Sequence, residues 1–383
     1  MTLEVKIIAT EKIKPASPTS LPLRTYKVSI LDPLFRHAYV PMVLFYPNDQ
    51  TSSDLDDAIA IAGRTQRRLK QSLSETLTRY YPFVGEVQDD LQIEFNDEGV
   101  YYVEAQVDEH LTDFLRKPDI KSLHILLPFD PNSMEYISTP YVVRIQVNIF
   151  NYGGGAISMC TSHIFIDGHT STMFLKAWAA TARGQSLEQK CVIGASKAIH
   201  GSKESSVLSL SVNLRRKSLS PFLESSVGNI IWMVIAQCKV NSNLVLPFIV
   251  GHLKNSIVEI NSDFVEEIKS DEGSLKVGEH LKEMAQLYSN PDADYFLVTS
   301  WCNFGLHEAN FGWGKPKWWC ISTLSTNTSV LSNVIYLVDT KVGDGIKAWV
   351  CLSEQYMAVF ERDPELLAFA SLDPSPLEHD NQG

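Results

Sequence analysis

No apolar stretch in the 383 residues reaches the roughly 20 residues that a membrane-spanning helix needs, which excludes an integral helical membrane protein. Basic residues are in the minority. The 33 Lys and Arg face 45 Asp and Glu, for a net charge of −12. That sign argues against nucleic acid or an anionic membrane as partner, because phosphates need a basic face. Cysteine is sparse and scattered, at 160, 191, 238, 302, 320 and 351. No pair has CxxC spacing and none joins histidine in a zinc-like pattern, so no metal is expected and the thiols read as reduced. The opening MTLEVKIIATEKIK lacks the apolar core of a signal peptide and alternates like a strand. The closing EHDNQG matches no lipidation or retention signal. These absences point to a cytoplasmic protein. Three familiar reactive or phosphate-binding loops are missing as well: there is no GxSxG elbow, no Walker loop and no GxGxxG before a helix. YGGGA (152–156) is glycine-rich but lies between two strands, without the lysine and helix of a phosphate loop.

What is present suffices for a large core. A hydrophobic share of 44% and a charged share of 20% are ordinary for a globular chain, and the length allows two domains. PASPTSLPL (15–23) reads as an extended lead-in. Over residues 64–81, Leu69, Leu73 and Leu77 recur every fourth position and Pro82 stops the run, which predicts a helix. Its charges, Arg67, Arg68, Lys70 and Glu75, read as a solvated face. YVVRIQVNIF (141–150) alternates apolar and polar residues, NYGGG turns, and AISMCTSHIF (156–165) returns, which predicts a hairpin. A helix follows over 168–184, with Phe174, Leu175 and Trp178 on its apolar stripe and Gly184 as its stop. The polar stretch 185–206 is the expected junction between an N-terminal lobe (1–185) and a C-terminal lobe (190–383). Beyond it, 206–214 and 229–240 read as strands and 264–289 as largely helical. Residues 335–341 and 346–353 read as a strand pair closed by VGDG.

His163 therefore stands near a strand end, with Asp167 and Gly168 in the strand-to-helix turn. Aspartate caps a helix well there, and glycine tolerates unusual backbone angles. The HxxxD spacing alone is weak: 10 histidines in a chain with aspartate at about 6% of positions give about 0.6 chance matches. The context is stronger. Continued strand alternation would put Ile164 and Ile166 on one face and His163 and Phe165 on the other. A polar ring among such neighbours needs a partner or a task, and imidazole suits a base held neutral in a dry cavity. Cys160 and Ser162 fall on the opposite face, so no nucleophile–histidine pair is expected, and a hydrolase lacks its nucleophile.

HIFIDG (163–168) resembles the HxxxDG motif of the plant BAHD acyl-CoA-dependent acyltransferases, and NFGWGKP (310–316) resembles their DFGWGKP. LKQSLSETLTRYYPFVGEV (69–87), QVNIFNYGGGAI (146–157), SVNLRRK (211–217), SVGN (226–229), TSW (299–301) and GDGIKAWV (343–350) match in the same order, so the likeness runs nearly end to end. It is nearest to the alkaloid-acylating branch that includes vinorine synthase. The resemblance implies an α/β fold of the chloramphenicol-acetyltransferase type, two lobes with mixed sheets flanked by helices, and a channel between them with the histidine at its middle. His163 would be the general base of the His163–Asp167 motif. Thr299 or Trp301 would supply a donor to the oxyanion. Asp167 would hold Arg215 in a structural pair, and Gly168 would allow the turn. Asn310, Phe311, Gly312, Trp313 and Gly314 would form a packed structural turn. Lys217 and Lys315 are candidates for coenzyme A contacts. The implied function is transfer of an acyl group, with acetyl favoured, from acyl-CoA to a hydroxyl or amine of a specialised metabolite such as an alkaloid. Acyl-CoA would be a cosubstrate, with no resident cofactor and a monomeric chain. Two departures stand out. Asn310 replaces the family's aspartate, and only QSLEQ (185–189) stands where the family carries several dozen residues, which predicts a truncated second lobe. The competing expectation is a degenerate relative that binds without turnover.

Overall fold

The computed structural model describes residues 3–19, 24–27, 32, 39–47, 55–89, 92–129, 140–151, 153–183, 205–218, 226–239, 246–290, 292–321, 333–340, 345–367, 372 and 376. Gly184, most of the 185–206 junction and three of the four VGDG residues lie outside them. The first half of the chain forms β1 (Val5–Ile13), β2 (Thr25–Lys27), β3 (Tyr39–Tyr46), α1 (Leu55–Arg79), β4 (Glu86–Asp89), β5 (Gln92–Glu94), β6 (Val100–Val107), α2 (Leu111–Arg116), β7 (Val143–Phe150), β8 (Gly155–Ser162) and α3 (Gly168–Arg183). The second half forms β9 (Ser205–Asn213), β10 (Ile231–Lys239), α4 (Leu246–Glu259), α5 (Ser262–Lys269), α6 (Gly273–Tyr288), β11 (Ala293–Ser300), β12 (Trp318–Ile321), β13 (Val334–Asp339), β14 (Ile346–Cys351), α7 (Glu354–Phe360) and α8 (Pro364–Leu367).

Two mixed sheets organise these elements. The first runs β1-β6-β7-β8-β3-β12, with β6 and β7 parallel and its other pairs antiparallel. The second runs β10-β9-β11-β13-β14, with β11 parallel to both neighbours. A small sheet, β2-β5-β4, stands apart. The expected hairpin is β7–β8, and Val143, Ile145 and Val147 turn one face of it into the core beneath α1 and α3. The polar residues between them do not face water. Arg144, Gln146 and Asn148 are all buried on the other face. The Asn148 amide donates to the Leu126 carbonyl at 3.0 Å, and the Arg144 guanidinium lies 4.9 Å from the Tyr101 ring centre.

Leu69, Leu73 and Leu77 of α1 are sealed against α3, as their spacing predicts. In the second sheet, Val212, Trp232 and Val234 meet Val265 of α5 and Val277 of α6. The helix expected over 264–289 is two helices, α5 and α6. Ser270 adopts extended backbone, and Gly273 comes so near that a Cβ there would lie 2.0 Å from the Ile268 carbonyl oxygen. The chain also returns to the first sheet late. β12, just beyond the FGWG turn, pairs antiparallel with β3.

Candidate active site

Strand alternation ends one residue before His163. β8 closes at Ser162, and the Ile166 amide donates back to the Ser162 carbonyl at 3.3 Å. Residues 163–165 are a turn, so the expected two-face split does not occur. Ile164, Phe165 and Ile166 all enter the same core cluster instead. Their burial leaves the imidazole at the rim, partly exposed. Cys160, at the other side of the strand, sits in the second core cluster, where burial pushes its thiol well above the usual range.

Asp167 then does two things. Its Oδ1 accepts from the Thr170 amide at 2.9 Å, which caps α3. Its Oδ2 accepts from Arg215 Nη1 at 2.6 Å and from the Ile230 amide at 3.2 Å. Arg215 rides on the single turn Leu214–Arg216 after β9, where Asn213 Oδ1 accepts from the Arg215 amide at 3.0 Å. Its guanidinium is fully buried and its other donors go to Thr170 Oγ1 (3.0 Å), Gly228 O (2.8 Å) and Ser226 O (3.0 and 3.2 Å). A buried pair this fully bonded avoids the usual desolvation loss. Burial opposes the charge on Asp167, but the guanidinium and its hydrogen bonds outweigh it and hold the carboxyl below its ordinary range.

The loop that returns from Arg215 to β10 brings Asn229 to His163. Asn229 is 2% exposed. Its Nδ2 donates to the His163 carbonyl at 2.7 Å, and its Oδ1 lies 3.1 Å from His163 Nδ1. Desolvation lowers the His163 pKa; Asp167 and the hydrogen bonds oppose that shift without reversing it. Desolvation thus favours the neutral imidazole over the imidazolium. SVGN contains Asn229, but its sequence carries no sign that the side chain meets the histidine.

Gly168 is needed for a different reason from the one expected. The structure gives it no left-handed backbone; a Cβ there would lie 2.6 Å from two carbons of the Trp301 indole. Trp301 is 5% exposed and packs among Phe304, Trp319 and Tyr336, so its indole holds the end of β11 against the start of α3. Thr299, two residues earlier, is partly exposed, and its hydroxyl bonds no described residue.

The FGWG turn is separate. Phe311 is sealed, in edge contact with Trp178 (4.9 Å) and Tyr46 (5.8 Å) and stacked on Trp313 (5.7 Å). Gly312 and Gly314 have φ of +107° and +112°, which glycine alone adopts cheaply. Asn310 Oδ1 accepts from both their amides, at 2.8 and 3.2 Å. Arg183, whose guanidinium donates to the Asn310 carbonyl, and Arg68, packed over Gly312, neighbour the turn. Lys315 pairs with Glu308 at 2.8 Å, and Lys217 reaches the Ile257 carbonyl at 3.4 Å. His163, Asp167, Gly168, Arg215 and Trp301 thus share one corner; Lys217 caps the turn that carries Arg215, while Asn310 and Lys315 belong to the FGWG segment. Among the described residues no helix is long and apolar enough to cross a membrane.

Comparison with known proteins follows the same outline. The family described as the Transferase family matches residues 3–198 and 190–367. Epi-neemfruitin B 7-O-acetyltransferase of Melia azedarach is 36% identical over 455 positions, covering 98% of this chain and 100% of that protein. Limonoid 7-O-acetyltransferase of Citrus sinensis is 36% identical over 460 positions, with the same coverage. The crystal structure of vinorine synthase superimposes with a TM-score of 0.77 at 27% identity, covering 96% of this chain and 99% of that one. An alignment of 455 positions against 383 residues leaves at least 72 positions with no residue of this chain. The two family matches overlap at 190–198, which puts the interruption beside the shortened junction.

Proposed function

From the premise that this chain belongs to the BAHD acyl-CoA-dependent acyltransferases, we propose that it moves an acetyl group from acetyl-CoA to a hydroxyl of a polycyclic specialised metabolite. The 36% identity to an epi-neemfruitin B 7-O-acetyltransferase and to a limonoid 7-O-acetyltransferase favours a terpenoid alcohol over an alkaloid as acceptor. The observation that carries the reading is the His163 ring, partly exposed just beyond β8, with Asn229 facing both its Nδ1 and its backbone carbonyl.

His163 takes the hydroxyl proton as the oxygen attacks the thioester carbonyl. A tetrahedral oxyanion forms, and the Thr299 hydroxyl is the donor we assign to it. The carbon–sulfur bond breaks and coenzyme A leaves as thiolate. A thiol pKa near 8.5 makes that departure far easier than loss of an alkoxide, so no covalent enzyme intermediate is needed. The imidazolium returns its proton to the thiolate. Trp301 packs the corner, and Asp167 anchors it without touching the reacting atoms. Lys217 and Lys315 are the cations we assign to coenzyme A phosphates.

A thiol-release assay with acetyl-CoA and a panel of triterpenoid and alkaloid alcohols tests this. Turnover is expected to fall at least about 10²-fold in His163→Ala. The acid limb of kcat/KM is expected below pH 6.5: desolvation favours the neutral base, so activity is full at pH 7 and is lost as pH falls through the lowered pKa. Turnover that survives His163→Ala sinks the proposal. A second reading, a relative that binds acyl-CoA without turnover, is favoured by the 72 or more positions this chain lacks. A folded chain that binds coenzyme A and releases no thiol with any acceptor would establish it.

A further inference from the structure

We infer that Asn229 sets the tautomer of His163, so that a residue of the second lobe decides which ring nitrogen of the first lobe is the base. The inference rests on the proposed role of His163. It follows from what each atom can donate. The amide of Asn229 has two ends, and His163 offers one atom to each. The backbone carbonyl of His163 only accepts, so the atom 2.7 Å from it is Nδ2. Oδ1 is then the atom 3.1 Å from ring Nδ1. An amide oxygen also only accepts, so Nδ1 carries the hydrogen. A neutral imidazole has one N–H, which leaves the lone pair on Nε2. The other tautomer would bring two lone pairs together at 3.1 Å, and flipping the amide would bring two oxygens together at 2.7 Å. Buried acceptors facing each other lose their hydrogen bonds outright.

Asn229 is in turn held on both sides. The Ile230 amide donates to Asp167 Oδ2 at 3.2 Å, and the Gly228 carbonyl accepts from Arg215 Nη2 at 2.8 Å. Gly228 has φ of +141°, which orients that carbonyl. Asp167 therefore acts on the base through the backbone that flanks Asn229. Asn229 is a positioning residue, and its readout is the ring itself.

Nitrogen-15 spectra of the histidine side chains in the full chain, at about pH 8, give that readout, with His163 identified by its loss in His163→Ala. The expected wild-type pattern is a protonated Nδ1 and an unprotonated Nε2. The ring also bonds its own backbone carbonyl, so a variant separates the two acceptors. Asn229→Leu, close in volume and without either partner, is expected to shift the ring toward the Nε2–H form. Its kcat should fall about 10²-fold while KM for acetyl-CoA moves less than about twofold. Asn229→Asp keeps an acceptor opposite Nδ1 and is expected to keep Nδ1–H. A wild-type ring protonated at Nε2, or an Asn229→Leu ring that keeps Nδ1–H, overturns the inference. If Asn229→Leu does not fold, Asn229→Ser, too short to reach the ring, takes its place with the same expectation. The spectra need no substrate, so the two proposals fail separately. The expected tautomer with no turnover sinks the function alone. A wrong tautomer with His163-dependent turnover sinks the inference alone.

Discussion

The HIFIDG corner and the NFGWG turn both tie the second half of the chain to the first, and they do so by opposite means. At the corner the tie is ionic and hydrogen-bonded: Asp167, Arg215 and Asn229 join two lobes through buried polar atoms. At the turn the tie is aromatic: Phe311 lies against Trp178 of α3 and Tyr46 of β3, and β12 follows onto the first sheet. Polar geometry is directional and aromatic packing much less so. The proposed base needs a fixed proton and a fixed direction, and directional bonds of the corner's kind suit that need. The turn supplies area, with Asn310 accepting from the Gly312 and Gly314 amides.

Substitutions at three positions test the contrast. Asp167→Ala should cost most, about 3–5 kcal/mol, because it strands the Arg215 guanidinium without its carboxylate. Thermal or denaturant unfolding reads that loss, and a cost below about 1 kcal/mol would erase the distinction between the regions. The pair's contribution is full at neutral pH and is lost only as pH falls through the depressed pKa of Asp167, below its ordinary 3.8. Gly168→Ala should cost about 1–3 kcal/mol, since its Cβ meets the Trp301 indole and one of the two must move. Quenching or shift of tryptophan fluorescence in that variant would place the strain at Trp301. Asn310 should matter least. Asn310→Asp keeps the acceptor for Gly312 and Gly314 and is expected to change stability by less than about 0.5 kcal/mol. Asn310→Ala removes the acceptor and should cost about 1 kcal/mol. A larger penalty for Asn310→Asp than for Asn310→Ala would show that charge, not the acceptor, governs the turn.

Much of the fold was legible because its signals are local. The period-2 pattern of 141–150 gave β7, the leucines of 64–81 gave α1, and Asp167–Gly168 gave the start of α3. The break between α5 and α6 was not legible: 264–289 keeps helical composition throughout, and only the approach of Gly273 to the Ile268 carbonyl marks the interruption. The turn at 163–165 was missed for a similar reason. Its apolar residues fit a strand as well as they fit a buried turn, and the deciding bond runs from Ile166 back to Ser162. In the site, the motifs named His163, Asp167 and Arg215. They did not give Asn229, 66 residues away along the chain, or the real reason for Gly168.

By itself the sequence determined most of the elements, the family and the motif that singles out His163, because periodicity, capping and a short motif are properties of neighbouring residues. Only the tertiary structure decided that Trp301 demands Gly168, that β12 crosses back to β3, and that an asparagine from the far lobe faces the imidazole. Those contacts depend on how the lobes pack, and hydrogen-bond direction is settled only when donor and acceptor are already in place.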